Sequence, residues 1–367
     1  MKLNILFISK LSGQLYSGPN YSVPAQVKAQ SQIDNVLWVN THKHTPNCWK
    51  EQGLPILSYP ELPHNRLASL PVPFCFPDLV VIEELYRHRF CSLIKDVRNA
   101  KIPYIVVPRS QLTAQGQKKK PLKKWLGNLL YYKSLVRGAV SIQYLTIQEK
   151  KDSGGLWNKH SFVLPNGINL PNLEPKTFSS NSINAVYIGR LEQYQKGLDL
   201  LIEACNSIQD DLRAVNFTLT LYGKDQANSL KILLKNVKRY HLEDIIYFCP
   251  PVFGEEKKQI LKKADLFIMT SRFEGHPMGL IEALSYALPC IVTTGTNMRE
   301  EIKDQNAGWT ADPIAEDISM ALKKAITECD KFPQKSANAR LLAVKYDWNE
   351  IAQKNHQIYE DIIRGNK

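Results

Sequence analysis

Each half of this chain carries five short apolar runs separated by longer polar or helix-patterned stretches, and that alternation constrains the fold more than any other feature. The runs are Leu3 to Ser9, Val36 to Asn40, Leu79 to Ile82, Tyr104 to Val107 and Ser141 to Leu145, then Ala185 to Ile188, Phe217 to Tyr222, Ile245 to Phe248, Leu266 to Met269 and Ile291 to Thr294. Strands joined by helical crossovers pair in parallel, so the pattern predicts an α/β protein with a helix-covered parallel sheet in each half. A length of 367 residues is long for one core and suits two, and 44% apolar residues can fill both. The turn signal Pro165-Asn166-Gly167, with Pro171 and Pro175 after it, marks the boundary and gives domains 1–165 and 166–346. In the last segment, 347–367, Trp348, Ile351, Ile358, Tyr359 and Ile362 share one helical stripe. The Pro-rich stretch from Pro55 to Pro77 reads as surface excursions.

One strand–loop–helix–strand unit concentrates the chemistry. After the run Ala264 to Met269, the segment Ser271 to Pro289 sets Glu274 and Glu282 eight positions apart across a loop that opens a helix, and Cys290 to Thr294 follows as a strand. Ligands of parallel α/β sheets sit beyond the carboxyl ends of the strands, where this loop falls. Leu280, Leu284, Ala287 and Leu288 lie on one face and Pro289 stops the helix, which places Glu282 in its first turn. Two acids so close repel unless a ligand takes up their hydrogen bonds, as a sugar-nucleotide's hydroxyls can. The amides of Met278, Gly279 and Leu280 at the helix start suit an anion such as a diphosphate. The alternative is an amphipathic helix with a solvated Glu.

A second cluster lies upstream. The strand Ala185 to Ile188 runs into Gly189, which permits close backbone approach, and Arg190 and Lys196 follow before a helix containing Leu198, Leu201 and Ile202. Two cations at a strand's carboxyl end can neutralise a pyrophosphate, Arg as a planar fork and Lys as a point charge. Taken alone, such a pair is also what a solvated surface carries.

Together, Gly189-Arg190-Leu191 with Lys196-Gly197, and Glu274 with Glu282 in Phe-Glu-Gly-x-Pro-x-Gly-Leu-x-Glu-Ala, resemble the donor site of family 4 retaining glycosyltransferases of the GT-B fold. In the first half, Gly18 to Pro24, Val107 to Thr113 with Lys118 to Lys120, and Tyr144-Leu-Thr-x-x-Glu149 are similar to bacterial enzymes of surface-polysaccharide assembly. Val163 to Ile168 matches the segment leading from the first domain into the second. The resemblance implies two Rossmann-like parallel-sheet domains facing a central cleft, an acceptor-binding first domain, a nucleotide-sugar-binding second domain and a last helix crossing back to the first. It implies transfer of a hexose from a UDP- or GDP-sugar to a lipid-linked saccharide, for capsule, exopolysaccharide or lipopolysaccharide. Retention would come by front-face attack assisted by the donor phosphate.

Residue by residue, the resemblance assigns Arg190 and Lys196 to the donor diphosphate and Glu274 to the donor sugar as the catalytic set. It assigns Glu282 to the ribose; Gly18, Gly189, His276 and the amides of Met278, Gly279 and Leu280 are read as further donor contacts from their places on the loops and at the helix start. Several positions depart from the family pattern. Ser17 precedes Gly18 in place of a second Gly, and Gly223 is followed by Lys224 rather than Gly. Ile82-Glu83-Glu84-Leu85-Tyr86 stands where relatives carry a His, so Glu83 or Glu84 would bind the acceptor or cap the loop. Arg109 matches an Arg or His that precedes Gly, here replaced by Ser110, and reads as an acceptor contact or an exposed surface cation. His88, between Arg87 and Arg89, reads as a surface residue. No Asp-x-Asp occurs, so no cofactor or metal is expected, with the cations and the helix start in that role.

Charge is divided unevenly. Residues 1–165 hold 22 Lys and Arg against 9 Asp and Glu, whereas residues 166–367 hold 25 against 26, so the formal excess of +12 belongs to the first half. Its densest piece, Lys118 to Lys124, runs into Trp125, Leu126, Leu129, Leu130, Tyr131 and Tyr132. Basic residues beside an exposed apolar stretch suit an anionic membrane surface; a solvated basic helix with its apolar side in the core is the other reading. No run approaches the ~18 apolar residues of a membrane span, and the start of the chain reads as a buried strand rather than a signal peptide. Seven cysteines without metal or redox spacing suit reduced thiols in a cytoplasmic protein, and the basic segment would place it at the inner face of the plasma membrane. A GT-B nucleotide-sugar epimerase is the second reading, opposed by the Glu274–Glu282 arrangement and the basic half. A nucleic-acid-binding module is a third; no recognition helix, zinc motif or aromatic set accompanies the charge, so no nucleic-acid partner is expected.

Overall fold

The computed structural model describes the chain except residues 15–17, 59–60, 63–65, 90, 119, 179–180 and 366–367. Two compact units emerge, Met1–Gly167 with Trp348–Lys367, and Ile168–Asp347. The first holds seven strands: β1 (Asn4–Ser9), β2 (Asn35–Asn40), β3 (Ile56–Ser58), β4 (Leu79–Glu83), β5 (Tyr104–Val107), β6 (Ser141–Tyr144) and β7 (Ser161–Val163). They pair in parallel in the order β3-β2-β1-β4-β5-β6-β7. The runs are continuously apolar because both faces are covered. Along β1, Leu6 and Ile8 enter one core while Ile5 and Phe7 enter the other, and along β4 Val80 and Ile82 divide from Leu79 and Val81 in the same way.

The second unit repeats the plan with β8 (Ile183–Ile188), β9 (Phe217–Tyr222), β10 (Ile246–Cys249), β11 (Leu266–Met269), β12 (Cys290–Thr293) and β13 (Gly308–Ala311), all parallel, in the order β10-β9-β8-β11-β12-β13. In each sheet the order reverses beside the first strand, between β1 and β4 and between β8 and β11. Loops leaving such a switch point diverge and open a crevice at the carboxyl edge.

The last helix, Trp348–Gly365, belongs to the first unit and buries Trp348, Ile351, Ala352, Asn355 and Tyr359. Gly167 lets it approach, since a Cβ there would lie 2.5 Å from the Trp348 ring. Three strands fall outside the apolar runs: β3, β7 and β13 have three or four residues each and lie at sheet ends or beside them, where Ser161, Gly308 and Thr310 give no apolar signal. The stretch Pro55–Pro77 is not wholly a surface excursion, because it contains β3 and buries Leu62, Leu67 and Leu70.

Candidate functional site

Two loops meet at the switch point of the second unit, Gly189–Gly197 after β8 and Thr270–Pro277 after β11. Gly197 sets their distance: it adopts φ +62°, and a Cβ there would fall 2.0 Å from the Thr270 carbonyl oxygen, so only glycine fits. The adjoining Lys196 is thereby brought to the other loop, where its Nζ donates to Glu274 Oε1. Ser271 Oγ donates to the same oxygen at 2.7 Å, and Asn297 Nδ2 donates to the Glu274 carbonyl at 2.6 Å. A second tie flanks the first, with Arg272 forked onto Asp199 at 2.7 and 2.9 Å and donating to the Tyr194 carbonyl at 2.8 Å.

Arg190 is exposed, its Nη2 donating to Gln195 Oε1 at 3.2 Å. Beneath it Tyr187 donates to the Arg190 carbonyl at 2.8 Å, and burial, with the Glu274 charge nearby, holds the phenol well above its usual pKa. A Cβ on Gly189 would meet that Tyr187 hydroxyl at 2.5 Å, and a Cβ on Gly279 would meet the Ile188 carbonyl at 3.0 Å. The start of the helix Met278–Ser285 therefore abuts the end of β8, bringing Gly279 to the Gly189–Arg190 turn.

Four expectations need correction here. The helix ends at Ser285 because Ala287 turns into the left-handed region at φ +58°, and Glu282, its fifth residue, lies in the second turn rather than the first. The acids do not wait for a ligand to relieve their repulsion, since Glu274 takes Lys196 and Glu282 takes Lys257 of the helix Gly254–Lys263. Lys196 is buried, which excludes for it the alternative of a solvated surface cation. The amides at the helix start are not all open: Met278 donates to the His276 carbonyl at 3.0 Å and Leu280 to the Pro277 carbonyl at 2.9 Å. His276 is half-buried, its ring 6.1 Å from that of Tyr346. Asn297 and Lys257 were not identified from sequence; both act through contacts far along the chain and sit in no motif.

In the first unit, Gly18 is exposed and caps the helix Pro19–Gln30 with an ordinary right-handed φ of −49°, its carbonyl accepting from the Tyr21 and Ser22 amides at 3.0 Å each. Ser17 and Lys119 lie outside the described residues. Arg109 is not a surface cation, for its side chain is 6% exposed and faces inward. Its Nε donates to Glu83 Oε2 at 2.7 Å, its Nη1 to Ser22 Oγ and Asn166 Oδ1 at 3.0 Å each, and its Nη2 to Gln26 Oε1 at 3.4 Å. Glu83 is wholly buried, and among the described residues its Oε1 has no hydrogen-bond partner. Glu84 is buried too, which raises its pKa against the pull of Arg87 and Arg109. His88 is likewise buried rather than on the surface; its Nε2 donates to the Glu83 carbonyl at 2.8 Å, and burial lowers its pKa to about 4.

The turn that carries Arg109 is strained, with Arg109 at φ +49° and Ser110 at φ +64°. Glu149 holds it: one carboxylate oxygen accepts from the Ser110 amide and the other from the Leu145 amide at 2.7 Å, while Thr146 Oγ1 caps the Glu149 amide at 3.0 Å. The motif Thr146-x-x-Glu149 is thus a capping box whose acid reaches past its own helix.

The basic segment forms the helices Ala114–Lys118 and Pro121–Gly127 and a π-turn Asn128–Tyr132. Leu122, Trp125, Leu126, Leu129 and Leu130, spaced as one helical stripe, are each at least half exposed, beside exposed Lys118, Lys120 and Lys123. Lys124 instead turns inward to the Gly116 carbonyl and stands over the Tyr86 ring, 4.7 Å from its centroid. Tyr132 is buried.

Residues 182–329 match the protein family described as Glycosyl transferases group 1. The chain is 26% identical over 216 residues to mannosylfructose-phosphate synthase of Agrobacterium fabrum, covering 54% of this chain and 47% of that protein. It is 28% identical over 163 residues to amylovoran biosynthesis glycosyltransferase AmsD of Erwinia amylovora, covering 44% of this chain and 43% of that one. The chain thus matches less than half the length of these curated relatives. Among solved structures it resembles Anabaena HepE in complex with UDP, with a TM-score of 0.73 and 18% identity over 98% of this chain and 100% of that one.

Proposed function

We propose that this chain, whose fold is GT-B and whose residues 182–329 belong to the group 1 glycosyl transferases, moves a hexose from a nucleotide-sugar to a saccharide acceptor in bacterial surface-polysaccharide synthesis. The observation that carries this reading is the meeting of Lys196 and Glu274 beside Arg190 at the β8–β11 switch point. Arg190 and Lys196 bind the diphosphate of a UDP- or GDP-sugar, Glu282 the ribose, and Glu274 the sugar. HepE was solved with UDP, which favours a uridine nucleotide. As the glycosyl bond breaks, negative charge grows on the departing phosphate. Cations already held in place stabilise it more than they stabilise the ground state.

Lys196 then exchanges one anion for another: a diphosphate drawing its ammonium releases Glu274 Oε1 to accept a sugar hydroxyl. Retention of configuration follows from front-face attack, with the donor phosphate taking the acceptor's proton. The leaving group's charge is met by Arg190 and Lys196, so the reaction needs no divalent metal.

The acceptor is lipid-linked and the enzyme works at the cytoplasmic face of the plasma membrane. This rests on the exposed stripe Leu122 to Leu130 with its lysines, because a large apolar face flanked by cations suits an anionic leaflet. Among the described residues no helix is long and apolar enough to cross a membrane. Radiolabelled sugar transfer from a panel of UDP- and GDP-sugars to a lipid-linked acceptor extract, with and without EDTA, tests the whole reading. Transfer that survives EDTA and disappears in Lys196→Ala is expected. Loss on chelation, restored by Mg²⁺, would overturn metal independence, and epimerisation of the donor without transfer would overturn the reaction.

A further inference from the structure

A cavity of about 660 Å³ opens along β13, the free edge of the second sheet, and four helices contribute its rim. Five cations and three carboxylates line it, but the two signs are not matched one to one. Glu328 is committed through both oxygens, to Lys331 at 2.8 Å and to Trp309 Nε1 at 2.9 Å, and Asp312 takes Arg299 at 2.8 Å. Asp317 accepts from the Asp312 amide at 3.4 Å. Among the described residues this leaves Lys303, Lys324 and Lys335 without a carboxylate within 4.0 Å.

Lys335 is the unusual one. It is buried, yet among the described residues its ammonium donates to neutral groups, Asn306 Oδ1 at 2.7 Å and the Gly308 carbonyl at 3.1 Å, with the Trp309 ring as a wall 4.6 Å away. Two of its three N–H bonds are used. Burial lowers its pKa, opposed by the Glu328 charge and aided by the repulsion of Lys324 and Lys331.

The sheet edge adds main-chain donors. Cys290 donates to the Ala307 carbonyl, so in the parallel ladder Ala307, Trp309 and Ala311 face β12 while Gly308 and Thr310 face away, into the cavity. Amides of an open edge with uncompensated ammonium groups around them make an anion-binding concavity. We infer that this cavity binds a small phosphorylated anion, held by Lys335, Lys324 and Lys303 and by the Gly308 and Thr310 amides. An acidic peptide adding as a further strand is the less suited occupant, because Lys335 already takes the Gly308 carbonyl that such a strand would need. The site is separate from the donor loops, on a different edge of the same sheet, and does not depend on the reading given to those loops.

The test is calorimetric titration of the full chain with inorganic pyrophosphate at low salt. One saturable component should persist in Arg190→Ala, which alters the donor loops, and weaken about tenfold or more in the Lys303→Gln/Lys324→Gln pair, each charge-assisted contact being a substantial share of such binding. Lys335→Met should weaken the same component further, and the exposed pair keeps the test decisive should that buried variant fold poorly. Pyrophosphate binding that depends wholly on Arg190, or that the Lys303/Lys324 pair leaves unchanged, would overturn the assignment. So would an eight-residue polyglutamate peptide binding here where pyrophosphate does not.

Discussion

Lys196 Nζ donates to Glu274 Oε1, joining the loop after β8 to the loop after β11, so the cation assigned to a diphosphate and the acid assigned to the sugar neutralise each other. Their side chains are 11% and 9% exposed, which makes this a nearly buried pair and changes what mutation should do. Lys196→Ala strands the Glu274 carboxylate with Ser271 Oγ as its remaining side-chain donor. Breaking a buried pair from one side costs ~3–5 kcal/mol, and residual solvent and the Ser271 hydroxyl place this one nearer 2–3 kcal/mol. Glu282→Ala breaks a pair whose partners are both 23% exposed, and should cost at most ~1 kcal/mol. Urea midpoints should separate the two variants while transfer fails in both. Equal midpoints would mean the Lys196–Glu274 pair adds nothing to the fold.

Ser110 occupies a left-handed turn that asks for glycine. An L-residue there costs ~1–2 kcal/mol, part of which Gly returns through the greater freedom of its unfolded chain. Ser110→Gly should therefore stabilise the chain by up to about 1 kcal/mol, read as a raised urea midpoint. A lowered midpoint would show that the Glu149 hold on the Ser110 amide already relieves the strain.

Ten of the thirteen described strands were legible because a parallel sheet covered on both faces favours apolar runs, as Ile5 to Ile8 shows, whereas β3, β7 and β13 lie outside such runs. The donor loops were legible because glycine and charge recur there at fixed spacing, as in Gly189-Arg190 and Lys196-Gly197. What the sequence hid was pairing. Nothing near Glu282 points to Lys257, and nothing near Glu274 points to Asn297, because partners on separate helices and loops share no periodicity. Arg109 and His88 misled for a related reason: polar residues read as exposed until the network that buries them is seen. The helix end was missed through a single residue, since Ala287 in the left-handed region gives no warning in its side chain, and Glu282 falls in the second turn because the helix already starts at Met278.

His88 predicts a pH dependence. Burial holds its pKa at about 4, while the unfolded chain takes up a proton near the ordinary value of 6.5. Between these values the unfolded state binds more protons than the folded one. The neutral-His contribution is therefore complete above pH ~6.5, falls as pH drops, and is exhausted below pH ~4, a swing of ~3 kcal/mol. His88→Gln can still donate to the Glu83 carbonyl but cannot titrate. Its unfolding free energy should fall less than that of wild type from pH 6.5 to 4.5; parallel curves would place His88 in contact with solvent.

The exposed stripe makes the membrane proposal separable into charge and burial. Lys118, Lys120 and Lys123 each contribute ~1 kcal/mol near an anionic leaflet, so changing all three to Gln should weaken binding to phosphatidylglycerol vesicles by ~100-fold at low salt. That loss should shrink as ionic strength rises, because screening acts within ~10 Å at 0.1 M. Leu122, Trp125 and Leu129 should matter in a different way. Replacing them with Ser removes apolar area that would enter the interface, at ~25 cal/mol per Å², and the defect should persist at high salt and on neutral vesicles. Neither set touches Tyr132 or Lys124, which hold the segment to the fold, so thermal midpoints should stay near wild type. Vesicle sedimentation across a salt series distinguishes the two contributions. Should both variants sediment as wild type does, the stripe is an uncovered surface without a lipid partner, and the acceptor must reach the enzyme by another route.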